Sequence, residues 1–206
     1  KPFDIGSMSI SILVFDSTSR SQFSRHMKRS RQLMNDLGFV TLLGYNKVGD
    51  NSAPNLSPIL AEPYKESEDY DLLDATGDIA LNKFLPYRKH IDPDTVDFIW
   101  KKMKNKGCET FFNDDVMNTG RGLFHYTERH FMNGFRTKPT DHYYRPYYTQ
   151  LYGSLHNKWK LCWDGQMMSE EFIAPWFLAL KKLASQCLFS FNFLTSPSHD
   201  NPNTLE

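Results

Sequence analysis

Ser9-Ile10-Ser11-Ile12-Leu13-Val14-Phe15-Asp16 (SISILVFD) is the stretch on which the fold turns. Aliphatic and β-branched residues dominate it, and it reads as a strand covered on both faces. It ends on a carboxylate. Beyond Ser17, Thr18 and Ser19, the apolar residues Phe23, Met27, Met34 and Leu37 recur at helical spacing, with Arg25, Lys28, Arg29 and Arg31 mostly on the other side and Gly38 suited to the stop. The basic run His26 to Arg31 is then the solvated face of that helix. A second strand is expected over Phe39 to Tyr45, followed by the loop GYNKVGDNSAPN, Gly44 to Asn55, and a short helical stretch holding Leu56, Ile59 and Leu60. Strand, helix, strand, loop, helix is the opening of a parallel α/β sheet.

The rest of the chain continues this pattern. Tyr70 to Leu85 has enough apolar residues for a short helix inside an otherwise acidic, irregular stretch. Asp92 or Asp94 is placed to cap a helix through Lys104, with Val96, Ile99, Trp100 and Met103 on its apolar side and Gly107 after it. Cys108 to Phe112 reads as a third strand, ending at Asn113, Asp114 and Asp115. From Gly120 to Trp163 the chain is crowded with Tyr, His, Phe, Arg and Pro and is expected to run as a long excursion over one end of the sheet. Ser169 to Leu183 is expected to be a helix burying Phe172, Ile173, Trp176, Phe177, Leu180 and Leu183, and Cys187 to Leu194 a fourth strand.

Composition limits what such a domain does. At 206 residues and 40% hydrophobic, the chain has the material for one large core, so residues 1–206 are expected to form a single domain. Lys plus Arg and Asp plus Glu are both 24, and this balance gives no global field to attract nucleic acid or an anionic membrane. No apolar run reaches the ~20 residues of a membrane span. Cys108, Cys162 and Cys187 are too few for a disulfide scaffold; buried thiols are the expected state, and one disulfide with a thiol left over is the alternative, which would indicate an oxidising compartment.

Three predicted strand ends carry polar groups: Asp16, the Asn113 to Asp115 cluster and the Thr195 to Asp200 segment. In an open parallel sheet, ligands bind outside the carboxyl ends of the strands. The loop Gly49-Asp50-Asn51-Ser52-Ala53-Pro54-Asn55 adds a fourth contribution, because Pro54 suits a first helical turn and free backbone N–H groups there would face an anion near Ser52. A hydroxyl at that position suits attack on a phosphate or sulfate ester, and a metal held by Asp16 would assist it.

ILVFDSTSR, GYNKVGDNSAPNLSPIL, KGCETFFNDD and GFRTKPTDHYYRP, in that order, resemble an uncharacterised animal family of sulfatase-like proteins in the alkaline phosphatase superfamily, over nearly the whole chain. The resemblance implies a mostly parallel sheet flanked by helices, Asp16 as ligand to a divalent metal (Zn, Ca, Mg or Mn), Ser52 as nucleophile, and His199 near the substrate or its leaving group. Asn51, Asn55, Lys47 and Asp115 complete the expected substrate contacts. The resemblance further implies an anionic ester substrate, on a glycan or a lipid, and a location in the secretory pathway or outside the cell.

The chain departs from the sulfatase pattern at several points. Ser17 follows Asp16 where a second Asp is usual, Asn55-Leu56 stands in place of Ser-Arg, and Asn113-Asp114-Asp115-Val116 replaces Gly-Lys-Trp-His. With the sulfate-neutralising cations missing, phosphorus substrates are favoured. The late Asp-His-Gly metal motif is absent, so the domain is expected to be incomplete on its C-terminal side and inactive as it stands. A catalytically inactive relative that binds a glycan or protein partner is the competing expectation. A classical serine hydrolase is disfavoured because no GxSxG elbow occurs.

Overall fold

A computed structural model describes residues 8–47, 51–61, 91–126, 134–154, 162–163, 165–183 and 185–199. The first predicted strand is β1, Ile10–Phe15, but it is not covered on both faces as expected: Ser11 and Leu13 are exposed, and Ile10, Ile12 and Val14 on the other face are half-buried against the core. It pairs in parallel with β8, Leu188–Leu194, from Ile10 opposite Phe189 to Phe15 opposite Leu194. On its other side β8 pairs in parallel with β2, Glu109–Asp114, and β2 with the two-residue β5, His142–Tyr143. The order β1-β8-β2-β5 is a four-stranded parallel sheet whose carboxyl ends share one edge. Every residue of β8 is buried, as befits the central strand of a sheet covered on both faces.

Alternation along β8 separates two cores. Phe189, Phe191 and Phe193 face one side with Phe112 of β2, and against them pack Leu56 and Leu60 of α3 (Ser52–Leu60) and Trp100 of α4 (Ile99–Asn105). Trp100 is fully buried between Phe98, at a ring distance of 4.0 Å, and Phe112, at 5.4 Å. Leu194 faces the other side, with Tyr148 of α5 (Arg145–Ser154) and Met168 and Phe172 of α6 (Met168–Lys182). This second face carries a polar stripe. The Trp176 indole donates to Ser190 Oγ (3.1 Å), Ser190 to Ser11 Oγ (2.9 Å), and Asn113 Nδ2 to the Phe172 carbonyl (2.9 Å), so the buried dipoles tie α6 to the sheet.

Several elements differ from the sequence expectation. The first helix is two, α1 (Arg20–His26) and α2 (Lys28–Asp36), parted at Met27, where ψ is 56°. Phe39 to Tyr45 is not a strand: nothing among the described residues pairs with it, and Phe39, Val40, Leu42, Leu43 and Tyr45 are exposed. Strand composition alone does not supply the neighbour that a ladder needs. The helix expected to start near Asp92 begins at Ile99, because Asp92 instead closes a turn onto the Asp94 amide and Thr95. The aromatic excursion contributes β5 and α5 as regular elements, together with the short hairpin of β3 (Arg121–Gly122) and β4 (His125–Tyr126). Another short hairpin, β6 (Cys162–Trp163) with β7 (Gln166–Met167), precedes α6. The helix expected over Tyr70 to Leu85 lies outside the described residues.

Cys108 and Cys187 form a disulfide, Cα to Cα 4.6 Å, which corrects the expectation of buried thiols; Cys162 is a free, exposed thiol. The two half-cystines precede β2 and β8, neighbouring parallel strands, and the Glu109 amide donates to the Cys187 carbonyl beside them (2.9 Å). The bridge thus pins the amino ends of the two strands whose carboxyl ends frame the site.

Candidate functional site

Asp16 follows β1 directly, and its backbone is held on three sides. Its amide donates to the Leu194 carbonyl (2.9 Å), while its own carbonyl accepts from Ser198 Oγ (2.6 Å) and Thr18 Oγ1 (3.1 Å). The next residue, Ser17, has φ 53°, a left-handed turn that a non-glycine residue adopts at a cost. Ser52 opens α3, and the residue before it, Asn51, has φ 72°. These are the only two non-glycine residues with positive φ among those described, and they flank the two side chains on which the chemistry would depend. Ser52 Oγ donates to Asp16 Oδ1 at 2.5 Å. His199 Nε2 stands 4.0 Å from Asp16 Oδ2, on an imidazole that is 58% exposed and therefore accessible to a ligand.

The chain builds this convergence simply. Parallel pairing of β1 with β8 brings Asp16 beside the turn after Leu194, which carries Ser198 and His199. Leu56 and Leu60 pack α3 onto the phenylalanine face of the sheet, which sets its first residue at the same edge. Asn51 makes no side-chain cap, and Asn55 Nδ2 donates to the Asn51 carbonyl (2.6 Å). The first-turn amides of Ser52 and Ala53 have no acceptor within the helix and, with the positive end of its dipole, favour an anion in front of Ser52. Pro54 in that turn forfeits no helical hydrogen bond.

The Asn113 to Asp115 cluster is divided by alternation among three surroundings. Asn113 faces α6 and also donates to Asn192 Oδ1. Asp114 faces the opposite side, where it accepts from the amides of Val116 (3.1 Å) and Leu123 (2.9 Å) and lies 3.6 Å from Arg145. Burial raises the Asp114 pKa, the Arg145 cation opposes the rise, and the nearby Asp16 charge adds to it. Asp115 is 0% exposed, which keeps it from touching a substrate in this arrangement. Its Oδ1 accepts from the Thr195 amide (2.7 Å) and hydroxyl, and its Oδ2 from the Ser196 amide (2.9 Å), so it clamps the turn that bears Ser198 and His199. Burial pushes its pKa up to about 6 against those three hydrogen bonds. Lys47 is exposed in the loop before Ser52, and Gly49 and Asp50 lie outside the described residues.

Two contributors escape a reading of residue types: Ser198, which fixes the Asp16 backbone, and the left-handed turn at Ser17. A serine one position before His199 was the only available sign of the first, and nothing in the residue type of Ser17 announces the second. Asp16 and Ser52 supply hard oxygen donors, and His199 an imidazole, chemistry that fits part of a divalent-cation site. Among the described residues, no three His, Cys, Asp or Glu side chains gather into a complete one.

The fold and this edge define an α/β domain with a hydroxyl, a carboxylate and an imidazole brought together beyond the carboxyl ends of a parallel sheet. The chain belongs to the family described as "Protein of unknown function (DUF229)", which it matches over residues 2–206. No curated protein and no solved structure matches it significantly. Among the described residues, no helix is long and apolar enough to cross a membrane.

Proposed function

We propose that this domain supplies the nucleophile of a metal-dependent, sulfatase-like phosphate or sulfate ester hydrolase or transferase. Ser52 is the nucleophile and Asp16 is both its hydrogen-bond acceptor and a ligand to the metal. The observation that carries this reading is the 2.5 Å hydrogen bond from Ser52 Oγ to Asp16 Oδ1 at the start of α3. A helix N-terminus alone would suit any anion. The carboxylate beside a hydroxyl adds a means of taking up the hydroxyl proton as the oxygen attacks.

In this reading the ester's phosphorus or sulfur sits in front of the Ser52 and Ala53 amides, and its oxygens receive their N–H groups. Ser52 Oγ forms a bond to that atom as its proton passes to Asp16, and the bond to the leaving oxygen breaks. His199, exposed and close to Asp16, protonates the departing alkoxide, so an alcohol leaves. Water or an acceptor alcohol then displaces Ser52 in a second step: its proton passes to His199 as its oxygen bonds to the phosphorus or sulfur, the bond to Ser52 Oγ breaks, and Asp16 returns its proton to the serine oxygen. Asp16, with Ser52 and His199 nearby, would hold a divalent cation, which supplies Lewis-acid polarisation of the ester and lowers the hydroxyl pKa. Ser198 and Asp115 act at one remove, by fixing the Asp16 backbone and the His199 turn. Phosphorus esters are favoured over sulfate esters, since the Ser-Arg and Gly-Lys-Trp-His cations of sulfatases are replaced here. The Cys108–Cys187 bridge supports maturation in an oxidising compartment such as the secretory pathway.

The test is chemical trapping with 4-nitrophenyl phosphate and 4-nitrophenyl sulfate in manganese, zinc, calcium and magnesium salts. It uses this chain and, where the natural polypeptide is longer, that polypeptide. Acid quench and peptide mapping should find the phosphoryl or sulfuryl group on Ser52 of the active form, and Ser52→Ala should abolish both adduct and turnover. Turnover that survives Ser52→Ala removes the proposal.

A further inference from the structure

A cavity of about 270 Å³ opens at the carboxyl end of β2 and β5, on the face to which Asp114 points. Its walls mix aromatic rings, Phe112, Phe135 and Tyr143, with the polar side chains of His125, Arg145 and Thr149. We propose that it binds one neutral, polyhydroxylated ring, a single sugar residue. On the preceding reading, this ring belongs to the glycan that carries the ester.

Charge argues first. Arg145 is 8% exposed and already committed: it faces Asp114 at 3.6 Å and donates to the carbonyls of Val116 (2.9 Å), Asn118 (3.0 Å) and Arg121. Its charge is balanced on the spot, so the cavity does not present a free cation to a phosphate or carboxylate. Donors argue next. Arg145 Nη2 approaches His125 Nδ1 at 3.5 Å, and since a guanidinium only donates, a hydrogen bond between them requires the imidazole proton on Nε2. Burial and the Arg145 charge keep the ring neutral. Neither His125 Nε2 nor the Tyr143 hydroxyl has a hydrogen-bond partner among the described residues, and burial with the Asp114 charge holds that phenol protonated. The Tyr143 hydroxyl and, in that tautomer, His125 Nε2 are two neutral donors in the cavity wall with no acceptor among the described residues.

The aromatic wall supplies the apolar complement. Tyr143 stacks on Phe112 (5.6 Å, 12°) and Phe135 meets both edge-on, at 6.1 and 6.3 Å, which fixes the rings before any ligand arrives. Gly134, at φ 60°, lies so close that a methyl group there would come within 2.9 Å of the His125 ring. A methyl at Gly122 would overlap the Arg145 guanidinium. Both glycines are needed to keep the pocket's walls where they are. A pyranose offers both halves of what this site lacks, C–H faces for the rings and hydroxyl oxygens for the unpaired donors.

Saturation-transfer NMR with neutral methyl glucoside, methyl galactoside and methyl N-acetylglucosaminide tests the inference, with indole as an aromatic control. These probes carry no ester, so binding stands or falls separately from Ser52 chemistry and should be unchanged in Ser52→Ala. At least one glycoside should show transfer. Tyr143→Phe, which keeps the stacked ring, and His125→Ala should each weaken its binding by about tenfold, the effect of one hydrogen bond. His125→Gln, which retains a donor, should restore part of the loss. Silence from all three glycosides while indole binds overturns the assignment. So does binding that is indifferent to Tyr143→Phe and His125→Ala in variants whose melting temperature is unchanged.

Discussion

Removing the Cys108–Cys187 bridge should cost this domain a large part of its stability. The bridge joins residues 79 apart in sequence. Cross-linking a loop of that size removes about 15 cal/mol/K from the unfolded ensemble in the chain-entropy model, equivalent to about 4.5 kcal/mol at 25 °C. For a domain of this size, such a loss corresponds to roughly 9–18 °C in melting temperature. Alanine is the better replacement, since Cys108 is 4% exposed and a serine hydroxyl there would need a buried partner. The assay is urea unfolding of the oxidised protein beside Cys108→Ala/Cys187→Ala, with thiol titration of the unfolded, unreduced chain. One reactive thiol, that of Cys162, is expected. A stability difference under about 1 kcal/mol would refute the loop-closure argument, and three reactive thiols would refute the pairing itself.

Further outcomes follow from individual contacts. Asp16→Asn should lower turnover of the active form by roughly a hundredfold or more and weaken its response to added metal, a difference read from steady-state rates across a metal titration. Trp100→Ala should cost about 3–5 kcal/mol in urea unfolding, because the indole is fully buried between Phe98 and Phe112. Asp115 has a folded pKa raised to about 6, so the folded chain binds its proton more tightly than the unfolded chain does. Its contribution to stability therefore rises as pH falls from about 7 toward 4, and wild type minus Asp115→Asn should show that slope in thermal melts between pH 7.5 and 5. A flat difference would mean that the three hydrogen bonds hold the carboxylate at its ordinary pKa. Lysine at Val40 and Leu42, both exposed, should reduce self-association in sedimentation velocity without moving the melting temperature.

The sheet was legible where composition and position agree. SISILVFD and the run Cys187 to Leu194 both lie in the parallel sheet, but only β8 is buried along its whole length, while Ser11 and Leu13 of β1 are exposed. FVTLLGY shows the limit of that signal. Its composition suits a strand equally well, but pairing depends on a neighbour that local sequence does not specify. The two-residue β5 shows the converse, since His142 and Tyr143 join the sheet through β2 with no periodicity to announce them. At the site, Asp16 and Ser52 were recognisable by type and place, as a strand-terminal carboxylate and a helix-opening serine. The division of Asn113, Asp114 and Asp115 among three surroundings follows from strand alternation and from the turn after β8, which residue types alone leave open. The disulfide was equally undetermined from spacing, because three cysteines allow several pairings and the parallel register of β2 and β8 selects one.

An anomalous-scattering map from crystals soaked in a manganese salt bears most directly on the shared use of one ion by strand end and helix start. The account predicts a peak within coordination distance of a carboxylate oxygen of Asp16 and of Ser52 Oγ, lost in Asp16→Asn crystals. Ordered manganese elsewhere, with Asp16 and Ser52 separated and bound to nothing in common, would contradict it.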